Sequence, residues 1–132
     1  MKYIYTAVIT PSEDRTFFVA EVPDIHSCVT TGKTLEEAVK MITDAASGCL
    51  VVAEDEEIPI SAPTPQNEIS RSPDSVCTLI VIDTYTYRIA TDNRAVRKNV
   101  SLPAWMVRMA DKKGLNCSQI LQDALEAKFS AL

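Results

Sequence analysis

Val96-Arg-Lys-Asn-Val-Ser-Leu-Pro103 precedes two short amphipathic segments, and its alternation decides how the C-terminal part of the chain is read. In an extended segment side chains point to alternate faces, so Val96, Val100 and Leu102 share one side while Arg97, Asn99 and Ser101 share the other. One side suits burial; the other is free to contact a ligand. Lys98 interrupts the apolar side. Either its stem packs while its amine reaches outward, or the ordered strand starts only at Asn99, which would weaken the case for Arg97.

The following residues predict two helices. Pro103 has the fixed φ suited to a first helical turn and loses no donor there. The run Ala104 to Lys113 ends at Gly114, the residue type that best tolerates a left-handed position after a helix. Trp105, Met106, Met109 and Ala110 recur at helical spacing. Asn116 offers a side-chain cap and Gln119 can reach back to complete a capping box. Ile120, Leu121, Ala124, Leu125 and Phe129 form the apolar stripe of the second helix, with Gln122, Asp123, Glu126 and Lys128 left to solvent.

A unit of about 37 residues falls below the roughly 40 at which a chain usually buries enough surface to fold alone, so it needs a partner. Two copies that pair their strands as an antiparallel ribbon and interlock their helices form a ribbon-helix-helix. Such a homodimer presents two symmetric sets of Arg97, Asn99 and Ser101 to double-stranded DNA. Arg97 can fork onto guanine O6 and N7, Asn99 can pair with adenine, and Ser101 has shorter reach. The backbone amides of Asn116, Cys117 and Ser118, at a helix start where donors lack intrahelical acceptors, are suited to a phosphate.

Charge supports two unlike halves. Residues 1 to 72 carry 5 Lys/Arg against 12 Asp/Glu, a net of −7, whereas residues 73 to 132 carry 8 against 6, a net of +2. Within residues 88 to 113 the balance is 7 basic against 2 acidic, a net of +5, which suits phosphate contact although the whole chain is acidic. No apolar run approaches the ~20 residues that cross a bilayer, and the start has no signal-peptide pattern, so a cytoplasmic protein without membrane contact is expected. Cys28, Cys49, Cys77 and Cys117 are dispersed and His26 is the single histidine. That spacing supports neither a metal site nor a disulfide framework, and buried free thiols are expected.

In the N-terminal half, strands are predicted over about 2–10, 16–22 and 28–31, with Pro11-Ser-Glu-Asp14 as the first turn. The period then changes. Leu35, Ala38, Val39, Ile42, Ala45, Ala46 and Cys49 follow helical spacing to about residue 53, with Thr34 as cap and Glu37 as its capping-box partner. Glu54-Asp-Glu-Glu57 reads as a solvated acidic end or a basic partner's contact, and the Pro-containing stretch to Ser72 as extended loop. Val76 to Asp83 reads as an apolar strand buried on both faces that returns to the sheet. The expected division is a domain over 1–85, a linker over 86–93 and the ribbon-helix-helix over 94–132. Gly32-Lys33-Thr34 is not the end of a nucleotide loop, because the first glycine of that motif would fall at Ser27. No cofactor is implied, and catalysis is not, since most carboxylates lie on the helix or its following loop rather than clustered on strands.

Val22-Pro-Asp-Ile-His-Ser-Cys-Val-Thr-Thr-Gly-Lys-Thr-Leu-Glu-Glu-Ala38 resembles the N-terminal signature of HicB-type antitoxins. Asn99-Val-Ser-Leu-Pro-Ala-Trp105 and Gly114-Leu-Asn-Cys-Ser-Gln119 resemble the ribbon-helix-helix of one branch of that family. The resemblance implies an α+β chain: a truncated RNase H-like β-sheet with one packed helix, plus a C-terminal dimeric ribbon-helix-helix. It further implies an antitoxin that neutralises a HicA-type toxin, a small basic mRNA-cleaving protein, and represses its own operon. Whether dimers pair into tetramers stays open. Asp14, Glu21, Asp24 and Glu54 to Glu57 would supply an acidic surface for such a toxin; no individual toxin contact can be assigned. Family members commonly have Leu-Pro-Gly-Cys where this chain has Ile25-His-Ser-Cys28, so a left-handed glycine position is not assured there. The competing reading is a ligand-responsive ribbon-helix-helix transcription factor with a non-toxin sensor domain.

Overall fold

The computed structural model describes residues 1–131, which divide into two compact units, Met1–Arg94 and a second from Ala95 onward. Unit 1 is a four-stranded antiparallel sheet, order β3-β2-β1-β4, with strands β1 (Lys2–Pro11), β2 (Phe18–Glu21), β3 (Val29–Gly32) and β4 (Val76–Asp83). Helix α1 (Leu35–Asp55) covers one face. The strand period of two puts Tyr5, Ala7 and Ile9 of β1 toward the helix beside Ile80 and Ile82 of β4, and the 3.6 period of α1 returns Ala38, Ile42, Ala46 and Leu50 to meet them. Alanines at two of those helical positions let α1 lie close. Gly32 is needed for the same reason, because a Cβ there would stand 2.4 Å from the Ala38 backbone nitrogen.

The start of α1 is capped as its sequence predicts. Thr34 Oγ1 accepts from Glu37 N at 3.0 Å, while the Glu37 carboxylate accepts from Lys33 N at 3.1 Å, one residue before the cap. Two differences from expectation have physical causes. Strand β4 is an edge strand, not one buried on both faces: Ile80 and Ile82 are buried, but Leu79 and Val81, on the alternate face, are each 62% exposed. Where a linker was expected, helix α2 (Thr84–Thr91) forms, with Asp83 as its cap accepting from Tyr85 N and Thr86 N. It is held to α1 by Arg88, which donates to Asp55 at 2.8 Å and Glu54 at 3.2 Å.

Unit 2 runs without regular secondary structure through residues 95–103, then forms α3 (Ala104–Lys113) and α4 (Cys117–Ser130). Helix α3 begins at Ala104, with the Pro103 carbonyl accepting from Met106 N and Val107 N. It ends at Gly114 with φ 65°, the left-handed residue its sequence predicts. The Leu115 amide returns to Ala110 O at 3.0 Å and closes the turn. Asn116 caps α4 by accepting from Gln119 N at 3.1 Å; the capping box is one-sided, because Gln119 Nε2 donates forward to Asp123 at 2.9 Å instead.

Candidate functional site

Unit 2 has almost no core of its own. Among its described residues only Ala110 is buried, at 9% exposure, while Trp105, Met109, Ile120 and Phe129 are each half-exposed or more. An apolar groove of about 320 Å³ lies between the helices and the segment that precedes them, lined by Val100, Leu102, Met106, Ala110, Leu115 and Ile120 among others. Val100 and Leu102 therefore face the helices, as expected for the apolar side of the sequence alternation. Val96 does not follow. It is 79% exposed and lines no part of the groove, so the apolar parity is realised from Val100 onward.

Arg97, Asn99 and Ser101 are all exposed, and none engages another side chain among the described residues. The backbone amides of residues 95–102 have no partner among the described residues either. At the start of α4, Asn116, Cys117 and Ser118 are exposed with no acceptor for their amides among the described residues. Cys117 also lines the apolar groove. The two sets, 97/99/101 and 116–118, lie in the same unit.

The expected burial of the thiols holds for Cys28 alone. Cys49 and Cys77 are half-buried and Cys117 is exposed. Burial, and then the neighbouring Cys49, pushes the Cys28 thiol up to about 11, so it remains protonated and inert at neutral pH.

Unit 1 also redistributes the acids. Asp14 is consumed by its turn, accepting from Ser12 Oγ and Thr16 Oγ1 at 2.8 and 2.7 Å. Asp24 accepts from Thr64 N and Oγ1 at 2.9 and 2.5 Å, pinning the Pro-containing loop. Glu54 and Asp55 are bound by Arg88, and Glu54 also accepts from Tyr3 Oη at 3.0 Å. These four are structural partners rather than free surface charge. Burial, then Glu54, pushes the Tyr3 hydroxyl up to about 12. The Ile25-His-Ser-Cys28 turn keeps a left-handed residue without glycine: Ser27 has φ 61°. Among the described residues no helix is long and apolar enough to cross a membrane.

Sequence comparison adds a family to this geometry. The family described as HicB-like antitoxin of bacterial toxin-antitoxin system matches residues 5–123. No curated protein matches the chain at a significant level. Among solved structures, the chain is similar to one in a toxin-antitoxin complex from Streptococcus pneumoniae, with TM-score 0.61, 21% identity and coverage of 97% of this chain and 99% of that one. It is similar to the crystal structure of antitoxin HicB3, with TM-score 0.52, 22% identity and coverage of 96% and 97%. A chain of the HicA3 and HicB3 toxin-antitoxin complex matches with TM-score 0.50 and 22% identity, covering 61% of this chain and 99% of that one. The α+β arrangement is thus one seen in HicB antitoxins, and with nine-tenths of its length inside the family match, this chain belongs to the HicB-like antitoxin family.

Proposed function

We propose that unit 1 binds and neutralises a HicA-type mRNA-cleaving toxin, and that unit 2, as a homodimeric ribbon-helix-helix, binds operator DNA and represses the chain's own operon. The family match supports the toxin half. The observation that carries the DNA half is the unpaired segment 95–102 beside an uncovered apolar groove. A second copy supplies both missing partners at once: its strand satisfies the amide edge, and its helices cover the groove. Each large aliphatic side chain so buried contributes about 1.5–3 kcal/mol. The ribbon then exposes paired Arg97, Asn99 and Ser101 for base edges, while the amides of Asn116, Cys117 and Ser118 hold the flanking phosphates.

The test is co-expression with the adjacent gene product and purification through one tag, followed by gel shifts on the upstream DNA. Co-purification, a dimer by light scattering and a sequence-specific shift are expected. Arg97→Ala should lose about 1–3 kcal/mol of discrimination against a changed guanine while still capturing the toxin. A monomer at micromolar concentration, or a shift indifferent to DNA sequence, overturns the DNA half.

A further inference from the structure

Three concavities of unit 1 run together over the outer side of α1. The central one, about 570 Å³, has Ala45, Gly48 and Cys49 as its floor, with His26 from the turn before β3 on one side and Tyr87 of α2 on the other. A second, about 360 Å³, shares His26, Cys49 and Val52 with it and extends toward Asp24 and Ile60. The third, about 500 Å³, shares Asp44 and Tyr87 and extends toward Lys40 and Asp83. The trough exists because the helix has no large side chain at 45, 48 or 49. At Gly48 the Tyr87 hydroxyl lies 3.2 Å from where a Cβ would stand, so the wall closes directly on the helix backbone.

The charges along this trough are unequal in availability. Asp24 is held by Thr64, and Asp83 caps α2. Lys40, at the far end, is paired with Glu36 at 3.2 Å. Asp44 is exposed and has neither hydrogen bond nor ion pair among the described residues. The trough therefore offers one uncommitted carboxylate, small-residue and aromatic walls, and no uncommitted cation, on a unit with 15 Asp/Glu against 7 Lys/Arg over residues 1–94, a net of −8. That chemistry fits an arginine or lysine whose apolar stem lies over Gly48 between His26 and Tyr87 and whose charged head meets Asp44.

We propose that this trough is the docking surface for the toxin, engaged by a cationic side chain anchored at Asp44. The inference rests on the toxin-binding reading above. A protein that cleaves mRNA must hold a polyanion, which requires exposed Lys or Arg. An antitoxin that ties up one of those cations uses a group the toxin cannot lose without losing its substrate. Complementary charge also selects against acidic partners and speeds encounter.

The experiment measures the affinity of the full-length chain for the purified product of the adjacent gene, for wild type, Asp44→Asn, Asp44→Lys and Glu13→Lys. Glu13 is exposed in the β1–β2 turn, away from the trough, so its reversal makes the same change in net charge. Asp44→Lys is expected to weaken binding at least about tenfold and Asp44→Asn by a smaller factor, with Glu13→Lys within about twofold of wild type. Circular dichroism melts check that the variants stay folded, and the neutral Asp44→Asn decides the matter if the reversal does not. Unchanged affinity in both Asp44 variants overturns the docking surface, as does an equal loss in Glu13→Lys, which would mean bulk charge alone. A wild-type chain that fails to bind overturns the toxin reading itself.

Discussion

Ser27 holds a backbone conformation that an L-residue adopts at a cost of about 1–2 kcal/mol, with φ 61° in the turn that sets Cys28 into the core. Ser27→Gly removes that cost and adds back part of it as unfolded-chain entropy. The expected result is a stabilisation of about 0.5–1 kcal/mol in urea unfolding, and a destabilised variant would contradict it. Tyr3 carries a pH prediction. Its hydroxyl rises from 10.0 to about 12 on folding, through burial and then Glu54, so the folded chain keeps a proton that the unfolded chain releases. The stability this contributes is fully present below pH 10 and is lost as the pH climbs toward 12. Unfolding of wild type and Tyr3→Phe at pH 8 and 11 should therefore show the wild-type advantage shrinking at the higher pH; an advantage that grew would refute the assignment. The departure from Leu-Pro-Gly-Cys left a left-handed position in this turn unassured, and the structure keeps one at Ser27. That serine would hold it was not legible, because propensity disfavours the conformation and only the surrounding Ile25, Val22 and Cys28 backbone bonds enforce it.

At the scale of elements, α1, α3 and α4 were legible because each joins helical spacing to a cap or a terminating glycine. Helix α2 was not. Its sequence, Thr-Tyr-Thr-Tyr-Arg-Ile-Ala-Thr, is rich in β-branched and aromatic residues that individually favour strands. What holds it helical is the local Asp83 cap together with the long-range Arg88 ion pairs to Glu54 and Asp55. Arg88→Met keeps much of the stem and removes the charge, leaving Glu54, whose side chain is 22% exposed, without its cation. A loss of about 1–2 kcal/mol is expected, between the values for exposed and buried pairs, with faster amide exchange confined mainly to residues 84–91. Unchanged exchange there would show that α2 stands without the pair. The same element shifts a boundary: unit 1 ends at Arg94, beyond the expected end at 85.

For the whole molecule, the two-unit division predicts that a chain ending at Arg94 folds alone, since the core cluster lies wholly within residues 5–82. It should stay soluble, retain toxin capture and lose operator binding, as read by co-purification and gel shift. A folded truncation that no longer captures toxin would remove the proposed division of labour. The converse fragment, from Ala95 onward, has one buried residue among those described, and its helicity is expected to fall on dilution as copies separate.

By itself the sequence determined the Thr34 and Asn116 caps, the Gly114 stop, the groove-facing Val100 and Leu102, and the family, because these depend on local spacing along the chain. Only the tertiary structure decided which acids are free and which are spent, that β4 lies at an edge, and that Tyr87 and His26 flank a trough over Gly48. Such features depend on groups tens of residues apart arriving within a few ångströms of one another, and no local pattern records that meeting.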